Sequence, residues 1–215
     1  MARRYDCSDA TDRKTGLREA AAAVRRGELV VLPTDTVYGI GADAFSREAV
    51  GDLLEAKGRG RNMPTPVLVG SPNTLHGLVT DFSEQAWELV DAFWPGALTL
   101  VANHQPSLTW DLGETHGTVA VRMPLHPVAI ELLTEFGPMA VSSANLTGHP
   151  APQDCDSAQE MLGDSVSVYL DGGATPDNVP SSIVDVTGKV PVLLRAGALS
   201  AEQLREVVPD LEVAN

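Results

Sequence analysis

Leu29-Val30-Val31-Leu32-Pro33-Thr34-Asp35-Thr36-Val37-Tyr38-Gly39-Ile40-Gly41 is the stretch on which the reading of the chain turns. Four consecutive large apolar residues read as a buried strand. Pro33 closes it, because proline has no N–H for a ladder. The segment after Pro33 is polar, with two hydroxyls, a phenol and two glycines within eight residues. In open α/β sheets, ligand loops gather at strand ends. Threonine hydroxyls bond a ligand's polar groups, and glycine lets a backbone approach one. A plain turn with Asx-type hydrogen bonds fits the same residues, and both readings stand at this point. Outward from here, residues 13–26 read as a helix with Leu17, Ala20, Ala21 and Val24 on one face and Gly27 as its stop. Ser46 caps a second helix carrying Ala49, Val50, Leu53 and Leu54.

The rest of the chain continues this alternation. Residues 67–69, 97–102, 118–122, 139–141, 166–170, 183–186 and 192–194 read as strands. Residues 83–93 and 126–136 read as helices. Ser200-Ala201-Glu202-Gln203 has the capping-box pattern and opens a last helix ending near Val208. Helices alternate with strands early and strands cluster late. That predicts an α/β (α+β) domain on a twisted, mixed parallel and antiparallel sheet flanked by helices.

Composition narrows the function. The chain has 215 residues, 43% apolar and 20% charged, which is ordinary for a globular protein. No apolar run approaches the roughly 20 residues of a membrane helix, and the first residues lack the apolar stretch of a secretory signal. The reading is a soluble, cytoplasmic protein without membrane contact. Cys7 and Cys155 are too few for a disulfide framework or a thiolate zinc cage. His76, His104, His116, His126 and His149 show no ligand spacing, so no protein-held metal is expected. Net charge is −14, and between residues 62 and 194 only Arg122 and Lys189 are basic. Such a chain is a poor stand-alone nucleic-acid binder. A few converging arginines still suffice for a small anion.

Six segments carry candidate residues or exclude a class. Lys57-Gly58-Arg59-Gly60-Arg61 is the densest positive spot, either a solvated helix end or a phosphate clamp. Thr118-Val119-Ala120-Val121-Arg122 and Val192-Leu193-Leu194-Arg195 are apolar strands ending in arginine, a surface snorkeler or an anion anchor. Val141-Ser142-Ser143-Ala144-Asn145-Leu146-Thr147-Gly148 runs from a strand into small polar residues that suit a phosphate or a base. Pro180-Ser181-Ser182 places two hydroxyls before a strand, and taken alone it reads as a polar turn. Gly39-Ile40-Gly41 is not a dinucleotide fingerprint, because about 20 residues on stands Arg61 rather than an acid. No P-loop and no G-x-S-x-G elbow occur. A site of hydroxyls, arginines and glycines suits positioning and charge stabilisation in phosphoryl or nucleotidyl transfer.

Taken together and in order, PTDTVYGIGAD, KGR, TVAVRMP, SSANLTG, SSIVD and LLRAG resemble the Sua5/YciO/YrdC family. The resemblance covers residues 14–208 as one YrdC-like domain and implies the short form, without an additional C-terminal domain. It implies formation of L-threonylcarbamoyladenylate and pyrophosphate from L-threonine, bicarbonate or CO2, and ATP. The product would serve N6-threonylcarbamoyladenosine formation at tRNA position 37 through a separate downstream threonylcarbamoyl transferase complex. Mg2+ is expected, carried mainly by the ATP phosphates. Carried over by motif, Thr34, Thr36, Tyr38, Arg122, Ser142 and Ser181 fall on the threonine side. Lys57 and Arg59 are the expected catalytic pair at the phosphates. Thr118, Ser143, Ala144, Asn145 and Arg195 fall to the nucleotide, with Ser142 and Ala144 acting through backbone groups. Gly60 stands where the family has proline after K-x-R, Leu68 where some members have histidine, and Asp35 where glutamate is frequent.

Two other classes compete. One is an RNA-binding YrdC-like module without adenylation activity, with weak tRNA or double-stranded RNA binding; the charge of −14 argues against tight binding. The other is carbamoyl transfer of the hydrogenase-maturation kind, whose extra domains and zinc-binding cysteine patterns are missing from this sequence.

Overall fold

A computed structural model describes residues 2–176 and 179–214. The elements in chain order are β1 (Arg3–Asp6), α1 (Ala10–Arg25), β2 (Val30–Leu32), β3 (Gly39–Asp43), α2 (Arg47–Ala56), β4 (Val67–Leu68), α3 (Leu75–Leu78), β5 (Val79–Thr80), α4 (Glu84–Phe93) and β6 (Leu98–His104). They continue with β7 (Thr118–Arg122), α5 (Pro127–Phe136), β8 (Met139–Ser143), α6 (Cys155–Leu162), β9 (Val168–Asp171), β10 (Ser182–Asp185), β11 (Val192–Arg195), α7 (Ala201–Val207) and β12 (Glu212–Val213). One mixed sheet runs β1-β9-β2-β3-β8-β4-β7-β6-β10-β11-β12, with β5 on β6. The predicted class holds, and the sheet reaches past residues 14–208 at both ends, β1 pairing with β9 and β12 with β11.

Local chemistry starts and stops the helices as the sequence indicates. Asp9 accepts from the N–H groups of Thr11 and Asp12 to open α1, and Gly27, at φ +81°, lies just past its end. Ser46 and Ser83 cap α2 and α4. Ser200 and Gln203 form a reciprocal capping box on α7. Among the described residues no helix is long and apolar enough to cross a membrane.

Side-chain alternation sorts the sheet into two faces. Ala42, Ala140, Val67, Val121, Leu100 and Val184 are cross-strand partners in turn and share one face. That face is buried under α2 and α6 at one end, and under α4 and α7 at the other. On the opposite face, α1 and α5 cover β9, β2 and β8. Among the described residues no helix covers that face beyond β4, and there Thr99, Val101, Ala120, Arg122 and Ile183 line a cleft. The site is therefore the uncovered half of one sheet face.

Several elements differ from expectation: β1, α3, β5, α6 and β12 lie outside the expected strands and helices, and the 39–41 segment differs in kind. Gly39-Ile40-Gly41 is strand β3, antiparallel to β2 and β8, rather than part of a ligand loop. A Cβ on Gly39 would lie 2.6 Å from Val141, and one on Gly41 2.8 Å from the Met139 terminal methyl. These glycines make room for neighbouring side chains, not for a ligand. Helix α6, capped by Asp154, lies in a stretch whose short pattern buries only Cys155, Ala158 and Leu162.

Candidate active site

Three arginines from distant parts of the chain line one cleft of about 540 Å³. Arg59 comes from the loop after α2, Arg122 from the end of β7 and Arg195 from the end of β11. Thr34, Thr36, Leu68, Thr99, Ser142, Ser143 and Ser181 line it as well, and among the described residues no carboxylate does. In a chain of net charge −14 this is a local reversal of sign.

Arg122 is 7% exposed and held on three sides. Its Nε donates to the Gly96 carbonyl at 2.9 Å, Nη1 to Thr36 Oγ1 at 3.0 Å and Nη2 to Asp35 Oδ1 at 2.6 Å. Asp35 Oδ1 also accepts from the Leu125 N–H at 2.9 Å. Burial lowers the Arg122 pKa, Asp35 opposes that shift, and repulsion from Arg195 adds to it. Arg59 donates from Nε to the Met63 carbonyl at 2.8 Å, and its Nη1 lies 3.4 Å from Ser142 Oγ. Arg195 donates from Nη2 to the Ser181 carbonyl at 2.7 Å. Burial lowers the pKa of both, and a guanidinium this basic stays charged near neutrality.

The loop between β2 and β3 combines both readings of its sequence. Thr34 Oγ1 accepts from the N–H groups of Thr36 and Val37, which makes it a turn residue. Its hydroxyl also lies 3.1 Å from that of Thr36, and both border the cleft. Sequence reasoning missed Thr99, which is 4% exposed near the start of β6, with Oγ1 2.8 Å from Ser181 Oγ. The signal was one hydroxyl inside the apolar run Leu98-Thr99-Leu100-Val101.

Five expected site residues are not among those lining the cleft. Tyr38 is fully buried; its hydroxyl donates to the Gly173 carbonyl at 2.6 Å and accepts from the Gly172 N–H. It is a core residue, because the turn sends its ring to the face under α2 and α6. Lys57 is 2% exposed, and its ammonium bonds main-chain carbonyls rather than reaching the cleft. The Ala144 N–H donates to the Tyr38 carbonyl at 2.8 Å. The Asn145 amide donates to the carbonyls of Leu146 and His149. Thr118 sits two residues before Ala120 on the cleft face of β7, beyond the cleft's edge, and its hydroxyl donates to the Thr115 carbonyl. Among the described residues, no group of three or more His, Cys, Asp or Glu is placed to hold a metal ion.

Fold and cleft together define an α/β protein with a concave sheet face built for an anionic ligand. The Sua5/YciO/YrdC family profile, described as telomere recombination, matches residues 22–197. The chain belongs to this family. It is 58% identical over 208 residues to a Mycobacterium tuberculosis protein named "Putative threonylcarbamoyl-AMP synthase", covering 97% of this chain and 96% of that protein. It is 39% identical over 199 residues to the threonylcarbamoyl-AMP synthase of Bacillus subtilis, covering 92% of this chain and 58% of that one. The crystal structure of P. abyssi Sua5 complexed with L-threonine superposes with a TM-score of 0.91 at 34% identity. All of this chain is covered, and 62% of that one.

Proposed function

We propose that this chain is a nucleotidyltransferase that makes threonylcarbamoyl-AMP and pyrophosphate from L-threonine, bicarbonate or CO2, and ATP. One observation carries the reading: among the described residues, three guanidinium groups and no carboxylate line a single cleft of about 540 Å³. Relatives named threonylcarbamoyl-AMP synthase, and the threonine complex of P. abyssi Sua5, support it.

The threonine amine adds to CO2 and loses a proton, giving a carbamate. A carbamate oxygen then attacks the α-phosphorus, the bond to the β-phosphate oxygen breaks, and pyrophosphate leaves. Nucleophile and phosphates are both anionic, so the protein's task is alignment and charge screening. In this reading Arg122, with Thr34 and Thr36, takes the threonine carboxylate, and Ser142 and Ser181 border the same substrate. Arg59 faces the phosphates. Ser143 and Arg195 face the nucleotide, with Thr118, Ala144 and Asn145 at its margin. Among the described residues the cleft lining has no carboxylate or histidine, which suits Mg2+ entering as part of the ATP substrate. The YrdC-like domain spans 14–208 in this reading, acts in the cytoplasm and passes its product to a threonylcarbamoyl transferase complex that modifies tRNA.

Surface charge argues against the RNA-module alternative. Arg3, Arg4, Arg13, Arg26, Arg47 and Arg61 are all in ion pairs with carboxylates. The test is a mass spectrum of the product formed by purified protein with ATP, Mg2+, L-threonine and bicarbonate, with pyrophosphate measured in parallel. Threonylcarbamoyl-AMP and threonine-dependent pyrophosphate are expected; neither product appearing refutes the reading.

A further inference from the structure

Lys57 is in an unusual state for a lysine. It is 2% exposed, and among the described residues it forms no ion pair. Lysine is almost never fully buried without a partner. Its Nζ donates to the Ser143 carbonyl and, at 2.6 Å, to the Asn145 carbonyl, and lies 3.5 Å from Asn145 Oδ1. Three ammonium donors thus meet three oxygens of one loop. Its own carbonyl accepts from the Thr147 N–H at 2.8 Å. One residue therefore grips the loop after β8 through both its side chain and its main chain.

The Ser143–Ala144 peptide shows what this grip controls. Its carbonyl is held by Lys57, and its N–H by the Tyr38 carbonyl at 2.8 Å. A single peptide plane ties the end of α2, the 33–38 turn and the start of the 144–148 loop. Ser142 and Ser143, just before it, border the cleft.

We propose that Lys57 is a positioning residue: its ammonium fixes the main chain at Ser143 and Asn145, and so sets the cleft wall formed by Ser142 and Ser143, without binding the phosphates. Burial with Arg59 nearby lowers its pKa to about 8, which fits an amine held away from water. The effect on turnover rests on the proposed reaction; the structural role does not.

The first test uses the wild-type chain. Its lysines are Lys14, Lys57 and Lys189, and the other two are exposed. Limited amine acetylation, read by peptide mass spectrometry on ligand-free protein, is expected to modify Lys57 about tenfold or more slowly than Lys14 and Lys189, because access requires local opening. Adding MgATP leaves that ratio unchanged. Labelling of Lys57 on a par with the other two, with or without ATP, overturns the proposal.

The second test compares wild type, Lys57→Arg and Lys57→Met by hydrogen exchange without ligand. Amides 143–147 are expected to exchange about tenfold faster in Lys57→Met and at an intermediate rate in Lys57→Arg, while β6 and β7 stay protected. Unchanged protection of 143–147 in Lys57→Met overturns the proposal. Neither readout needs turnover, so a failed reaction leaves them intact. Where the reaction holds, Lys57→Met raises the KM for ATP and for threonine together. A rise confined to ATP marks a phosphate ligand and overturns the proposal.

Discussion

The cleft on the open sheet face and a second depression, between the end of α1, α2 and the start of β9, treat charge in opposite ways. The second is larger, about 690 Å³ against about 540 Å³. Its lining holds Glu28, Asp52 and Glu55, and Arg26, its one cation among the described residues, is paired with Glu28 at 2.8 Å. Asp52 and Glu55 are exposed, and water screens them. The smaller cleft gathers three guanidiniums, Arg122 buried, Arg59 half-buried and Arg195 exposed at the rim, with Asp35 behind only Arg122. Volume therefore does not identify the site; positive charge converging on a common space does.

The largest expected effect that separates the two regions is on stability. Arg122→Ala leaves the half-buried Asp35 carboxylate without its 2.6 Å guanidinium partner and with only the Leu125 N–H on that oxygen. Breaking this largely buried pair is predicted to cost about 3 kcal/mol in chemical denaturation, the low end for buried pairs, and to abolish pyrophosphate release. Arg26→Ala, at the exposed pair of the larger depression, is predicted to change neither. Equal behaviour of the two variants removes the distinction.

A smaller effect lies in the pH response. Burial, with repulsion from Arg59, lowers the Lys57 pKa from 10.5 to about 8. Unfolded chains keep this proton to 10.5, so between about 8 and 10.5 the unfolded state binds more protons. The cost of the buried charge is fully present below that window and is relieved as pH rises through it. The unfolding free energy of wild type minus that of Lys57→Met is therefore predicted to climb by about 3 kcal/mol across the window. Denaturant titrations of both proteins at several pH values check this. A flat difference means that the amine is solvated, like the charges of the larger depression.

Much of this was legible in the sequence, and the exceptions share a cause. Strands with strong apolar runs, such as Thr118–Arg122, and helices with local caps, such as α7, are specified by their own residues. Strand β3 was not, because its glycines answer to Val141 and Met139, about a hundred residues away. Strand β1, Arg-Arg-Tyr-Asp, shows no apolar alternation and exists through its parallel pairing with β9. In the site, arginines at the ends of apolar strands announced Arg122 and Arg195, since strand direction sets where such side chains emerge. Nothing local fixes the direction of Tyr38 or Lys57. The fold turns both inward, one into the core under α2 and α6 and the other onto carbonyls 86 and 88 residues further along the chain.

The most direct test of the central claim is calorimetric binding of ATP, and of L-threonine, to three proteins: wild type, Arg59→Ala with Arg195→Ala, and Asp52→Asn with Glu55→Gln. Losing two charged hydrogen-bond donors is predicted to weaken ATP binding by about a hundredfold or more in the first double variant. The second double variant, altered in the larger depression, is predicted to bind both ligands as wild type does. Undiminished ATP binding without Arg59 and Arg195, or its loss without the two carboxylates, contradicts the assignment of the cleft.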